Sequence, residues 1–467
     1  MSSTTESLPV PNGGNDGEAE HGNSGRRRHD CIVNESWQPA SQRYCCRVCA
    51  AELPIATPLP WRCQRASNFD RHHALAVIGS RESVDSESAN PFLAFRERLT
   101  WDAFAQQVGV SAEDRIAAIT ALDDDIAAVA GSGFRFTPFT RNDGVSAALG
   151  FNETGGVWIK DETNNVGGSH KARHLFTTML QLRLAESRSL APWSGRSNRP
   201  ALAIASCGNA AIAAATIAAA ARWPIQVFVP HWAGGTVVDM LSALDALIIR
   251  CERLEGDPPG DPCIREFRRA VAGGAIPFSV QGTENVTCLD GGRTIGWEIG
   301  WQARHSGIGI DRMFVQVGGG ALASCLGASA PVDKFHMVQT EGCAPLSRAW
   351  ALAMAADADM HAAAWHWAEL MWPWGTEPKS VADGILDDET YDWLGVFEAM
   401  VRSNGWPITA TEPEIVAAYG LGRTKSGIDV SATGTAGLAG LLAIIEQIGP
   451  DERVAVVFSG VERPSTS

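Results

Sequence analysis

From Val157 onward the chain alternates short β-branched runs with helical stretches. "VWIK" leads to a helix from Ala172, "ALAIA" to one from Ala210, "IQVFVP" to one near Gly235 and "ALIIRC" to one near Pro262. The alternation resumes with "DRMFVQV" and a helix after Gly320, continues through "FHMVQTE", and closes on "RVAVVFSG". Strand, helix, strand at this spacing implies parallel sheets with helices on both faces. At 467 residues the chain exceeds the size at which one hydrophobic core stops growing. The expected architecture is therefore α/β with two lobes, each a mostly parallel sheet flanked by helices.

Composition narrows the partners. A formal net charge of -15 argues against a polyanion, so nucleic acid is not expected. Eleven cysteines are an odd count at low density, which reads as reduced and cytoplasmic. Residues 1–30 are polar, have no apolar h-region and read as a disordered tail. The apolar stretch 201–221 is interrupted by Ser206, Gly208 and Asn209, so a buried strand and helix fit it better than a membrane span. Before Val157, "NPFLAFRERLTWDAFAQQVG" and "SAEDRIAAITALDDDIAAVAG" predict two helices, the second opened by Ser111 with Asp114 three residues on. The Trp-rich piece "WALAMAADADMHAAAWHWAELMWPWG" predicts a helical insertion packed on a sheet.

Three constellations carry chemistry. Of 38 basic residues only Lys160, Lys171, Lys334, Lys379 and Lys425 are lysines, and two of them fall in "KDETNNVGGSHKARHL". Unlike a guanidinium, a lysine amine can lose its proton, attack a carbonyl and hold it as a Schiff base. Lys171 falls where a loop after a strand meets the next helix, the end of an α/β unit at which ligands bind. Its plainer reading is a surface lysine in a helix's first turn. Lys160, nearer the strand and followed by Asp161 and Glu162, reads as a structural ion pair. In "IASCGNAAIAAATIAAAA", Gly208 permits close backbone approach, Asn209 can donate an amide, and the helix N-terminus favours an anion such as a carboxylate. A cap on an Ala-rich packing helix is the alternative. In "FVQVGGGALASCLGAS", Gly318, Gly319 and Gly320 form either a nest for a phosphate or a tight structural turn. The spacing is neither the dinucleotide fingerprint nor the Walker loop.

A lysine at a strand end, an Asn turn and a phosphate nest together describe an aldehyde that carries a phosphate, namely pyridoxal phosphate. "GGSHKAR", "SCGNAAIA" and "QVGGGALASCLG", followed by "SVADGI", "ATGTAGLAGL" and "VVFSG", resemble the signature stretches of the tryptophan synthase β-like family, fold type II of the pyridoxal phosphate enzymes. The similarity runs over residues 136–460. It implies that Lys171 forms the Schiff base and moves the Cα proton, and that Asn209 bonds the phenolic oxygen of the ring. It further implies that Ser206 and Gly208 hold the substrate carboxylate, that Gly318, Gly319, Gly320 and Ala321 bind the phosphate, and that Ser459 meets the pyridine nitrogen. A neutral hydroxyl at that nitrogen favours elimination over transamination. The sequence also departs from the pattern. His170 stands where dehydratases and threonine synthases usually have Phe, which is closer to tryptophan synthase β, while "SCGN" is like the dehydratases and threonine synthases.

On this resemblance the chain divides into a tail (1–30), a cysteine-containing lead with helices (31–135) and a pyridoxal phosphate-dependent region (136–467). The smaller lobe of that region is expected at about 172–295, and the larger lobe from 136–171 plus 296–467. The expected activity is that of a lyase acting on a small amino acid by α,β-elimination, an ammonia-lyase of the threonine or serine type. The alternatives are a β- or γ-replacement synthase, such as a threonine synthase or a cysteine synthase-like enzyme, and a non-catalytic protein that keeps the cofactor. The expected partner is a small amino-acid substrate, with no nucleic acid and no membrane; a homodimer is left open. In the lead, Cys46 and Cys49, flanked by Cys31 and Cys63, could supply four thiolates to a structural zinc, or could be a remnant held by packing. The pair His72-His73 has no carboxylate constellation around it in the sequence and reads as surface or interface.

Overall fold

The computed structural model describes residues 42–67, 70–79, 86–258 and 260–463. The expected polar tail and Cys31 lie outside the described residues. Strands are numbered along the chain. β1 (Arg43–Cys46), β2 (Glu52–Pro54) and β3 (Leu75–Ile78) form an antiparallel sheet in the order β2-β1-β3. β4 (Phe139–Arg141) and β5 (Gly156–Asp161) open the largest sheet. β6 (Leu202–Ala205), β7 (Ile225–Pro230), β8 (Leu247–Cys251) and β9 (Ile276–Pro277) make a separate sheet, parallel throughout, in the order β8-β7-β6-β9. β10 (Arg312–Gln316), β11 (Lys334–Thr340), β12 (Pro407–Ala410) and β13 (Arg453–Phe458) complete the largest, in the order β12-β11-β10-β13-β5-β4.

In that six-stranded sheet every pairing is parallel except the antiparallel edge between β4 and β5. Its inner strands are buried along nearly their whole length, as parallel strands covered on both faces must be. Because β5, β10 and β13 run the same way, with Phe458 opposite Asp161 and Phe314 opposite Val456, their C-terminal ends meet at one edge. Ligands bind at such an edge in open α/β sheets.

The helices that matter here are α1 (Thr100–Gln107), α2 (Ala112–Ala130), α3 (Lys171–Ser187), α4 (Asn209–Ala221), α5 (Thr287–His305) and α6 (Ala321–Ser329). α2 starts as expected, with Ser111 Oγ accepting from the Asp114 amide at 3.1 Å. The alanines of α4 allow it to sit deep against α3, and Leu175, Phe176, Ala211 and Ala214 share one core with Phe92 and Phe134. No sequence pattern predicts strands in the cysteine-containing lead, yet Tyr44, Cys46 and Leu53 enter the same core as Met313, Val315 and Met337 of the large sheet. The Trp-rich insertion is broken into three short helices, Pro345–Ala355, Met360–Trp365 and Trp367–Leu370, and Trp365 is exposed. No described helix is long and apolar enough to cross a membrane.

Candidate active site

Lys171 is the first residue of α3, and the loop that delivers it is stapled to the end of β13. The Glu162 amide donates to Phe458 O at 2.9 Å, and the His170 amide donates to Ser459 O at 3.1 Å. Ser169 bridges Gly460 in antiparallel fashion. Gly167 and Gly168 turn this loop at φ +69° and +71°, the left-handed region that disfavours any other residue. Asn209, at the start of α4, reaches the same place. A Cβ on Gly460 would come within 2.7 Å of Asn209 Nδ2, and Asn209 Oδ1 accepts from Arg463 Nε at 3.0 Å. Ser459 Oγ accepts from Gln316 Nε2 at 2.7 Å, which couples the ends of β13 and β10.

One residue beyond Gln316 and Val317 the glycine turn begins, and α6 starts at Ala321. Gly320 has φ +93°, so an L side chain there is strained whatever the space. A Cβ on Gly318 would strike Asp387 Oδ2, and one on Gly320 would lie 2.9 Å from Thr390 Cγ2. The turn is therefore walled by residues 385–392, a segment that the sequence motifs do not mark beyond "SVADGI". The Asp392 amide donates to Gly319 O at 2.8 Å, and its carboxylate accepts from the Gly282 amide at 3.0 Å. The signal available in the sequence is the acidic run "LDDETYDW", which directly follows that motif.

Burial lowers the pKa of the Lys171 amine, an effect that the negative charges of Asp387 and Asp392 only partly offset. Burial raises the carboxyls in turn: Asp387 is pushed up to about 6 and Asp392 to about 7, with the Lys171 charge opposing in both cases. His170 is held well below the usual range and His174 is pushed down to about 3, by burial first and the Lys171 charge second. Both imidazoles are thus neutral, with Nδ1 bonded to Ser459 O at 3.1 Å and to Cys288 O at 2.9 Å. Neither Nε2 has a partner among the described residues.

The turn after β6 is partly exposed. The Gly208 amide donates to Ser206 Oγ at 3.3 Å, and nothing lies within 4 Å of a Cβ placed on Gly208. Cys207, between them, is pushed up to about 11, by burial and then by the charges of Asp383 and Asp261, with Asp387 adding to these. The Ser206–Asn209 turn, Lys171, the glycine turn and Ser459 thus share one neighbourhood.

Lys160 does not belong to it. Its side chain is fully buried, and Nζ donates to Glu298 Oε2 at 2.6 Å and to Thr137 O at 2.8 Å. The ion pair expected at Lys160 is present, and its partner is Glu298 on α5. Arg173 joins the network through Glu162 at 2.9 Å and Glu298 at 2.5 Å.

Cys46, Cys49 and Cys63 do converge, and the fourth corner of their cluster is His73. This corrects the reading of His72-His73 as surface residues: His72 is 1% and His73 4% exposed. His72 Nε2 lies 3.0 Å from Glu389 Oε2, a partner too distant in sequence to be seen there.

The sequence pattern described as "Pyridoxal-phosphate dependent enzyme" matches residues 131–460. The chain belongs to this family. No curated protein matches the sequence. Maize serine racemase superposes with a TM-score of 0.55 at 18% identity, over 75% of this chain and 94% of that one. The threonine deaminase of T.th. gives 0.54 at 20% identity, over 75% and 99%. Diaminopropionate ammonia lyase from Escherichia coli gives 0.56 at 17%, over 74% and 89%. At these identities the likeness is one of fold, and the fold is that of the type II pyridoxal phosphate enzymes.

The residues of this pyridoxal-phosphate dependent enzyme fit the cofactor of its family. A side chain on any of the three glycines would press on the wall formed by Ile385, Asp387, Thr390 and Tyr391, so the turn needs glycine to keep its backbone in place, and the helix behind it presents its N-terminus, as a phosphate site requires. Within electrostatic reach of Asp387, which lies against the turn, stands Lys171, whose pKa burial lowers. Ser459 Oγ already accepts a hydrogen bond, so its own hydrogen is left to donate, as an unprotonated pyridine nitrogen requires.

Proposed function

We propose that the chain is a pyridoxal phosphate-dependent lyase that releases ammonia from a small hydroxy amino acid of the serine or threonine type by α,β-elimination. The observation that carries this reading is Asp387. Elimination needs a base for the Cα proton and an acid for the departing hydroxyl, whereas racemisation returns a proton to the same carbon and needs no acid at the β position. Lys171 would hold the cofactor and, once free as an amine, would serve as the base, since burial shifts its pKa downward. Asp387 is the acid. Burial pushes it up to about 6 against the opposing Lys171 charge, so it holds its proton in mildly acid solution and can give it up as pH approaches neutrality.

When bound, pyridoxal phosphate supplies the electron sink that makes the Cα proton acidic. The remaining residues bind and orient. The amides of Gly318, Gly319, Gly320 and Ala321 would take the phosphate, with the Gly319 amide leaving its bond to the Asp387 carboxylate, and Asn209 would donate its amide to the ring's phenolic oxygen. Ser206 and the open backbone at Gly208 hold the substrate carboxylate at the N-terminus of α4. Threonine deaminase and diaminopropionate ammonia lyase among the structural neighbours support a lyase, and serine racemase among them makes the test pointed.

The test is to incubate the holoenzyme with serine, threonine and related amino acids in D2O, following keto acid, ammonia and deuterium at Cα. Keto acid and ammonia in equal amounts are expected. Asp387→Asn should lower their formation on the order of 100-fold or more while Cα exchange persists. Exchange and racemisation without keto acid would overturn the lyase reading, as would a β-substituted amino acid formed only when a thiol is added.

A further inference from the structure

We propose that Cys46, Cys49, Cys63 and His73 form a structural zinc site, and that this site anchors the wall of the glycine turn. One ligand atom from each residue lies within 4.8 Å of the others. Cys49 Sγ and Cys63 Sγ are 3.6 Å apart, and Cys46 Sγ is 3.4 Å from His73 Nδ1. All three cysteines are free thiols. A tetrahedron with zinc–sulfur bonds of about 2.3 Å and a zinc–nitrogen bond of about 2.0 Å has edges of about 3.8 Å between sulfurs and about 3.5 Å between sulfur and nitrogen. Those two separations are close to the edges, and the other four stay within 4.8 Å. Three thiolates with one imidazole are a donor set that selects zinc over the oxygen-seeking cations.

A second observation is independent of the spacing. The ring of His73 offers Nδ1 to the thiols and points Nε2 at Asp70 Oδ2, 2.8 Å away. Asp70 is itself fixed, since its Oδ1 accepts from Trp367 Nε1 at 2.7 Å. A carboxylate behind the far nitrogen of an imidazole sets the tautomer and strengthens the near nitrogen as a ligand, as in the carboxylate–histidine–zinc arrangement. The Arg65 amide also donates to Cys63 Sγ at 3.4 Å, which favours the thiolate form a metal needs. Cys46 and Cys49 flank the turn between β1 and β2, Cys63 follows β2, and His73 precedes β3. The ion would therefore cross-link the whole of a small sheet that has little core of its own.

The residues next to the ligands reach the cofactor side. Arg71 and His72 both grip Glu389, the latter at 3.0 Å, and Arg47 bonds Glu398 at 2.8 Å. Glu389 adjoins Thr390, whose methyl sets the space beside Gly320. The zinc-closed sheet thereby fixes residues 387–392 against the phosphate-binding turn.

Metal analysis of the purified full-length protein should give one zinc per chain. Exchange of the zinc for cobalt(II) should give the intense visible bands and the sulfur-to-cobalt charge-transfer band of a tetrahedral thiolate site, a readout that needs no variant. Asp70→Asn, which keeps all four ligands, should weaken zinc on the order of 10- to 100-fold. Removing the ion with a thiol reagent and chelator should raise the dissociation constant for pyridoxal phosphate at least tenfold, and zinc should restore it. Iron in place of zinc, a metal-free protein that takes up no zinc at micromolar concentration, or an octahedral cobalt spectrum would overturn the site. Cofactor affinity unchanged by zinc removal would overturn the anchoring role.

Discussion

Lys160 and Lys171 stand eleven positions apart in one sequence motif and end in opposite environments. Around Lys160 every charge has a partner in place: Glu298 takes both Lys160 and Arg173, and Glu162 takes Arg173 again. Around Lys171 none of the described acids is close enough to form an ion pair, and burial, not offset by a bonded cation, pushes Asp387 up to about 6 and Asp392 to about 7. Two charged regions on the same loop thus have different uses. A closed network holds geometry, and an open one retains protons that can move.

The largest expected effect separates the two lysines. Lys171→Ala should abolish turnover, by a factor on the order of 1,000 or more, while leaving the apoprotein's thermal midpoint within a few degrees. Borohydride reduction of the wild-type holoenzyme should label Lys171 and leave Lys160 unlabelled on peptide mapping. Label on Lys160 would collapse the contrast. The complementary change is Glu298→Ala, which strands Lys160 and Arg173 as buried charges and should cost about 3–5 kcal/mol in urea unfolding. A loss under about 1 kcal/mol would show that water relaxes the network and that it does not lock the loop.

The same contrast explains what the sequence can disclose. Lys171, Asn209, the three glycines and Ser459 sit in short local signatures, where a strand end, a turn residue and a helix start are contiguous. Their convergence follows from parallel strands ending at one edge. Asp387, Asp392, Glu298 and Glu389 act across long separations, and the one local sign, the acidic run "LDDETYDW" that holds three of them, does not by itself separate them from solvated acids. His73 escapes a sequence reading for the same reason: its carboxylate, Asp70, is only three residues away, but the thiols it faces become neighbours only when β1 and β3 pair. The short edge strand β4 is invisible in the sequence because three residues carry no periodicity.

Asp392 gives a pH test of the open region. Its folded pKa lies at about 7, above the ordinary 3.8, so it favours the folded state when protonated. That contribution is fully present below about pH 4 and is lost as pH rises through 7. Asp392→Asn mimics the protonated group and keeps an acceptor for the Gly282 amide. The variant apoprotein should therefore lose several degrees less in thermal midpoint between pH 4 and pH 7 than the wild type. Parallel curves would mean that the carboxyl is ionised and paired in the native state, which would make this region resemble the Lys160 network.

The smallest effect concerns Ser459 and the direction of the chemistry. Gln316 Nε2 also donates to Gly434 O and Val457 O, both at 3.0 Å, and those two carbonyls can be satisfied only by the amide nitrogen. The Gln316 orientation is thereby fixed with its nitrogen towards Ser459, its two hydrogens are shared among three oxygens, and since an amide nitrogen does not accept, the Ser459 hydrogen is not spent on Gln316 and is free to point into the site. A hydroxyl that donates to a pyridine nitrogen leaves it unprotonated, whereas a carboxylate would hold a proton there through a charge-assisted bond. Ser459→Asp should therefore raise ring protonation, slow elimination severalfold and increase side transamination, read as the ratio of keto acid plus ammonia to pyridoxamine phosphate. An unchanged ratio with cofactor bound would mean that the serine hydrogen faces something other than the ring nitrogen, and the neutral end of the open region would then have to be sought at His170 or His174, whose Nε2 atoms have no partner among the described residues.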